Sequence, residues 1–358
     1  MKARATRLAP FFSEQDIMVK INYILTSCTD PAKNLATEEY LTFRAAPDEV
    51  TLYLWQNANT VVIGRNQNPW KECRLETMRE EGCTLARRIS GGGAVYHDLG
   101  NLNFTFIAQK DLYDVERQTE VILRAVQLLG IGAEKNGRND LTIDGKKFSG
   151  HAYFKQGKYC YHHGTIMVDV NRDVLSRYLN VSAAKLRSKG VDSVRSRVTN
   201  LTEYRPGLTI PEMQQALIRA FEEVYGAAYR GASGEPAEEK PLPDEQDPEL
   251  QKLYQRYQSD EWRFGRKIPF DVEMDNRLDF GSVNIQLHVD GGVIQDARIY
   301  SDSLETEAFP QLESLLRGVA YKKSALDGLN SDGLEEFQSP EGRDIAAKVI
   351  EQIVLQME

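Results

Sequence analysis

The stretch Arg87-Arg88-Ile89-Ser90-Gly91-Gly92-Gly93-Ala94-Val95-Tyr96-His97-Asp98-Leu99-Gly100-Asn101 carries more information than any other in the chain. Glycine loses more backbone freedom on folding than any other residue. Three in a row therefore belong where the backbone bends sharply or touches a ligand. Two arginines and Ser90 precede them, and His97 and Asn101 follow. Bare backbone N–H groups beside cationic side chains suit a phosphate. The spacing matches neither the dinucleotide-binding nor the P-loop glycine pattern. Directly after it, Leu102-Asn103-Phe104-Thr105-Phe106 alternates with period two, which predicts a half-buried strand fed by the glycine loop.

Upstream, Val50 to Trp55 and Thr60 to Gly64 are β-branched and aromatic runs around Gln-Asn-Ala-Asn, a pattern for two strands joined by a turn. Downstream, Val121, Ile122, Ala125, Val126, Leu128 and Leu129 have helical spacing that ends near Gly130 or Gly132. Thr209-Ile210-Pro211-Glu212 is a capping box, followed by an apolar face from Met213 to Val224 with Gly226 as its stop. Residues 232 to 248 are acidic, proline-rich and nearly free of large apolar side chains, as a linker or exposed crossover is. Beyond it, Val283 to Val289 alternates, Asp290-Gly291-Gly292 turns the chain, and Val293 to Ile299 returns as a hairpin. Ile345, Val349, Ile350, Ile353, Val354 and Met357 form a helical core stripe. Strands mixed with helices, without a regular βαβ repeat, give an α+β fold. The expected division is an N-terminal extension over 1–18, disordered, a catalytic domain over 19–245 and a smaller α/β unit over 246–358.

A chain of 358 residues can hold two such domains. A net charge of −9 argues against a general nucleic-acid binder. No run approaches the ~20 apolar residues of a membrane span, and Pro10, Glu14 and Asp16 break up any secretory signal. A cytoplasmic, membrane-free protein is expected, with Cys28, Cys73, Cys83 and Cys160 as reduced thiols whose spacing fits no zinc site.

Gly137-Arg138-Asn139-Asp140-Leu141 and Lys147-Phe148-Ser149-Gly150-His151-Ala152, with Arg87 to Asn101, closely resemble the lipoate–protein ligase family. The likeness extends to Asn34 to Glu39, Ile63 to Trp70, His162-His163-Gly164 and Gly190 to Leu201, and Trp262-Arg263-Phe264-Gly265 resembles the accessory domain of its long forms. The resemblance implies a mixed β-sheet catalytic domain of the lipoate/biotin ligase type. It implies ATP-dependent activation of free lipoate to lipoyl-AMP and transfer to a lysine of lipoyl-domain acceptors. The acceptors would be the 2-oxoacid dehydrogenase complexes and the glycine-cleavage H protein, and the ligase a monomer.

Unaided, the glycine loop reads as a phosphate cradle or as a structural turn, and Lys147 in Asp-Gly-Lys-Lys as a solvated turn residue. The resemblance implies that Arg88, Ser90, Gly92, Gly93, Ala94, Val95, Tyr96, His97, Asn101 and Lys147 meet ATP or the adenylate. Lys147 is the implied catalytic residue, binding phosphate and acyl carbonyl together, and Lys146 is its near-isosteric neighbour. Glu38, Trp55, Arg88, Ser90, His97, Lys147 and His163 are the implied lipoate site, with Trp55 as an apolar wall for the dithiolane chain. Asn139 and Asp140 are the candidate Mg²⁺ ligands, since magnesium takes one or two carboxylates plus substrate phosphates. Three rival readings stay open: an acyl transferase working through Cys160, a biotin ligase, and a non-catalytic binding protein on the same fold.

Overall fold

The structure, a computed structural model, describes residues 19–136, 140–180, 198–228, 236–337 and 339–357. The expected extension to Met18, Asn139, the charged segment Lys185 to Ser196 and the start of the acidic crossover lie outside them.

The first unit begins with β1 (Lys20–Leu25), α1 (Pro31–Thr42), β2 (Glu49–Trp55), β3 (Thr60–Ile63), α2 (Pro69–Glu72), α3 (Leu75–Glu80), β4 (Thr84–Arg87), β5 (Val95–His97) and β6 (Asn101–Gln109). It continues with α4 (Val115–Leu128), β7 (Glu134–Asn136), β8 (Asp140–Ile143), β9 (Lys146–Gln156), β10 (Tyr159–Met167), α5 (Arg172–Tyr178), α6 (Ile210–Ala228) and β11 (Glu238–Glu239). An eight-stranded mixed sheet in the order β11-β1-β2-β6-β10-β9-β8-β7 forms its backbone, and β4-β3-β5 is a separate small sheet.

Local chemistry explains several boundaries. Asp30 caps α1, with Oδ1 accepting from the Ala32 N–H at 2.8 Å. The Thr209–Glu212 box caps α6 reciprocally, through Thr209 N–H to Glu212 Oε2 at 2.9 Å and Glu212 N–H to Thr209 Oγ1 at 3.3 Å. Gly226 does not stop α6, which runs on to Ala228.

Two expectations are corrected. β2 and β3 are not a hairpin: β2 pairs with β1 and β6, while β3 pairs with β4 and β5. Both strands are buried along nearly their whole length, so each is taken into its own sheet. The Asn34 amide, donating to the Gln56 carbonyl at 2.8 Å, holds the crossing between them. Likewise β6 is buried on both faces rather than one. Leu102, Phe104, Phe106 and Ala108 face the core under α4 and α6, and Ile107 belongs to the core beside α1.

The second unit is an antiparallel sheet with three helices. α7 (Pro248–Gln258) and α8 (Asp260–Phe264) precede it, then come β12 (Val272–Leu278), β13 (Gly281–Asp290), β14 (Val293–Ser301), α9 (Ala308–Leu316), α10 (Lys323–Asp332) and α11 (Pro340–Leu355). The expected hairpin is β13–β14, turned by Gly291 and Gly292 at φ 57° and 74°. The stripe of α11 lies in this unit's core. α7 and α8 pack on the first unit: Tyr257 donates to Glu39 Oε2 at 2.6 Å, and Trp262 Nε1 to the Arg87 carbonyl at 2.8 Å. The buried residues of the second core begin only at Met274, and α7 and α8 pack with the first unit.

Candidate active site

A cavity of about 200 Å³ opens between β9, β10 and the glycine loop. That is smaller than the ~300–1,000 Å³ usual for a ligand pocket, so its enclosed part suits one small moiety. Leu35, Trp55 and Val62 supply an apolar wall; Arg88, His97, Asn103, Lys147, His163 and Thr165 supply the polar groups.

The loop reaches the cavity because β4 ends at Arg87 and β5 restarts at Val95. Arg88 folds back under it. Its Nε donates to Ser90 Oγ at 3.0 Å, Nη1 to the Val62 carbonyl at 3.2 Å, and Nη2 to the Gly91 and Gly93 carbonyls at 2.7 and 2.9 Å. The fork expected for an anion is thus engaged by protein oxygen, and burial lowers the guanidinium to about 10. Arg87, on the other side of the strand, donates to the carbonyls of Arg65, Gln67, Trp262 and Arg263.

The three glycines have three different surroundings. A Cβ on Gly91 would sit 2.2 Å from the Ser303 carbonyl oxygen and 2.7 Å from that of Leu304, so this residue is small because the second unit lies against it. The Gly92 N–H donates to the same Ser303 oxygen at 2.9 Å, at a φ of 91° that favours glycine. Only Gly93 has open space beside it. With Ala94 and Val95 it lines the cavity, whereas the Tyr96 ring turns away to pack against Tyr178.

Behind the wall runs a buried polar line. Ser90 Oγ meets His163 Nε2 at 2.8 Å, and His163 Nδ1 donates to Glu38 Oε1 at 2.8 Å. Glu38 also accepts from Thr105 Oγ1 at 2.6 Å, and Thr105 accepts from Trp55 Nε1 at 3.0 Å. His163 and Trp55 face the cavity, while Glu38 and Ser90 stand behind them and fix their orientation.

Two residues that line the cavity each keep one buried donor without a protein partner among the described residues. His97 Nδ1 faces the Asn57 amide nitrogen at 3.2 Å, and Asn57 Oδ1 accepts from Asn34 at 3.1 Å. The proton of His97 is therefore on Nε2, which is buried and unpartnered. Burial lowers this imidazole to about 3, so it stays neutral. Asn103 uses Oδ1 to accept from Asn101 at 2.9 Å, leaving its buried Nδ2 unpartnered as well. Buried polar groups without partners are rare in folded proteins, and here both line a cavity. Sequence reading missed Asn103, because one polar residue in an alternating strand carries no signal of which face is a site. Asn101 stands behind it and does not line the cavity.

Lys147 extends into the cavity from β9, its Nζ 2.6 Å from Asp140 Oδ1 on β8, with both side chains partly exposed. Among the described residues no group of three His, Cys, Asp or Glu side chains could hold a metal. Asp140 alone matches magnesium, which is satisfied by one carboxylate completed by phosphate and water. Lys146 is exposed and does not line the cavity. Cys160 is buried away from the cavity with its thiol pushed up by burial, the reverse of what a nucleophile requires.

Comparison with known proteins decides the family. The model of the lipoyl protein ligase A/B catalytic domain matches residues 30–222, and that of the bacterial lipoate protein ligase C-terminus matches residues 267–345. The chain belongs to the lipoate–protein ligase family. Lipoate-protein ligase A of Psychrobacter cryohalolentis is 40% identical over 305 residues, covering 85% of this chain and 90% of that protein. Plasmodium falciparum LipL1, solved in complex with lipoate, superposes with a TM-score of 0.80 at 27% identity, over 93% of this chain and 99% of that one. The bipartite lipoate protein ligase of Thermoplasma acidophilum, studied with its E2 lipoyl domain, gives 0.61 at 28% identity, over 71% and 100%. A lipoate-protein ligase A bound with ATP gives 0.58 at 26% identity, over 69% and 98%. The α+β architecture is that of these ligases, and the chain is an enzyme of the ligase class. Among the described residues no helix is long and apolar enough to cross a membrane.

Proposed function

We propose that this ligase activates free lipoate with ATP and transfers the lipoyl group to a lysine of lipoyl-domain acceptors, namely the 2-oxoacid dehydrogenase acyltransferase subunits and the glycine-cleavage H protein. In the first half-reaction a lipoate carboxylate oxygen attacks the α-phosphorus, and the bond to the leaving pyrophosphate breaks. In the second the acceptor ε-amine attacks the acyl carbon, AMP leaves, and the amine loses a proton. The observation that carries the reading is the Lys147–Asp140 pair beside a small, largely apolar-walled cavity in a chain of this family. An apolar wall holds an alkyl chain ending in a dithiolane. A partly exposed ammonium is a point charge that can leave its carboxylate for a phosphoryl oxygen. His97 Nε2 and Asn103 Nδ2 supply fixed neutral donors to an acceptor atom of the adenylate. Arg88 holds the loop in shape and adds charge without offering its fork. When bound, Mg²⁺ at Asp140 would neutralise phosphate charge. Catalysis is then positioning and charge stabilisation, with no covalent enzyme intermediate.

The test is direct. The purified chain is incubated with ATP, Mg²⁺, lipoate and an isolated lipoyl domain, and the domain is weighed by mass spectrometry. One lipoyl group is expected on one lysine, only with ATP present. An unmodified domain beside a folded enzyme would contradict the reading, and modification from an acyl thioester without ATP would revive acyl transfer.

A further inference from the structure

Lys147 reaches the cavity through two local features of β9 that the reaction scheme does not use. The register of β8 on β9 pairs Asp140 with Gly150 and Leu141 with Ser149, then slips, so that Thr142 meets Lys147 and Phe148 is the extra residue of a bulge. Side chains alternate along a strand. His151 points toward α4, where it meets His162, itself bonded to Gln118, and Ser149 points the same way, bonded to His151. Without a bulge Lys147 would follow them into that core. The inserted residue, with Phe148 buried in the core, returns Lys147 to the cavity side with Gly150 and Ala152.

The side chain then lies across Gly150. A Cβ built there would stand 2.8 Å from both Cε and Nζ of Lys147, and the next atom, Thr165 Oγ1, is at an ordinary 3.9 Å. Gly150 has no positive φ, so the backbone does not require glycine here. Asp140, which holds the ammonium, is the cross-strand partner of Gly150. The path from residue 147 to its carboxylate therefore runs over the one position in the strand with no side chain in the way.

We propose that Gly150 is a positioning residue: its missing side chain is the seat of the Lys147 ammonium, and Gly150→Ala displaces that ammonium while leaving the fold intact. The colliding atoms are the far end of a flexible side chain, which moves more easily than backbone. The catalytic consequence rests on the reading of Lys147 given above.

The test compares Gly150→Ala, Lys147→Ala and the double variant with the parent by melting temperature, by lipoate-dependent ATP–pyrophosphate exchange, and by amine acetylation of Lys147 followed by peptide mass spectrometry. Gly150→Ala is expected to melt no lower than the parent, to lose about 100-fold in exchange, the scale of a 1 Å misplacement, and to alter the labelling rate of Lys147. In the Lys147→Ala background it should cost nothing further. Full exchange in Gly150→Ala beside an inactive Lys147→Ala would overturn the glycine's role and leave the lysine's standing. Full exchange in Lys147→Ala would instead sink the reading of Lys147; unchanged labelling would then sink the seat as well. Should Gly150→Ala fail to fold, folding of the double variant supports a collision with Lys147, and its failure contradicts one.

Discussion

Arg88 and Lys147 both bring positive charge to the same cavity, and the molecule treats them in opposite ways. Arg88 is buried, touches no carboxylate among the described residues, and spends its donors on the Val62, Gly91 and Gly93 carbonyls and the Ser90 hydroxyl. Lys147 is partly exposed and holds one carboxylate by one contact. A cation wrapped in main-chain oxygen builds structure. A cation loosely paired near solvent can change partners when a phosphate arrives. A glycine-rich loop with arginines suggests an anion site, yet here the loop's own carbonyls take up the charge, and the strand lysine, held by one carboxylate, is the more loosely engaged cation.

The sharpest way to break this contrast is to truncate both cations. Lys147→Ala should lose on the order of 10³-fold in adenylation, the scale of removing one preorganised charge stabiliser. Arg88→Ala should lose about 4 kcal/mol of stability in chemical denaturation, since it strands several buried acceptors worth roughly 1–3 kcal/mol each and not additive. Equal loss of folding stability in the two variants would end the distinction.

The loop's glycines allow a smaller version of the test. Gly91→Ala should destabilise by about 2 kcal/mol, because the new methyl meets the backbone oxygens of Ser303 and Leu304, which cannot move aside cheaply. Gly93→Ala, with nothing near its Cβ, should stay within about 0.5 kcal/mol of the parent. Urea melts of the two decide it.

His97, buried, and His151, half-buried, add a pH dependence. His97 and His151 are held at about 3, below the ordinary 6.5, by burial. Each is neutral when folded and binds a proton more readily when unfolded. Their contribution to stability is full above the unfolded pKa and is lost as pH falls from about 6.5 toward 3. Between pH 7 and pH 5 each should remove about 2 kcal/mol. His151→Gln should flatten the fall in urea midpoint over that range, and an unchanged slope would place the imidazole in a wetter setting. Smallest of all, Lys147→Ala should shift stability by less than about 0.5 kcal/mol, as partly exposed ion pairs do.

Much of this could be read from the residues. The helix over Val121 to Leu128, the Thr209 cap, the hairpin around Asp290-Gly291-Gly292 and the final helix all follow from local rules, and all are present, whereas the glycine loop leads not into the Leu102–Phe106 strand but first into β5 of the small sheet. What could not be read depended on a second neighbour. Alternation in Leu102 to Phe106 marks one buried face but cannot reveal that α1 and the cavity cover the other. A turn-like Gln-Asn-Ala-Asn does not disclose that its flanking strands enter different sheets. The reason for Gly91 lies about 210 residues away at Ser303. The spacing that put Lys147 near Phe-Ser-Gly-His-Ala was legible, but the bulge that aims it was not, since an extra residue leaves no mark in composition.

The central claim is that Lys147, not the arginine of the glycine loop, is the cation that meets the nucleotide in lipoate activation. Its most direct test is lipoate-dependent exchange of labelled pyrophosphate into ATP by the parent and by Lys147→Ala, with Mg²⁺ and no acceptor protein. The account expects exchange that requires lipoate in the parent and vanishes in the variant while the melting temperature holds. Undiminished exchange by folded Lys147→Ala, or none by the folded parent, would contradict it.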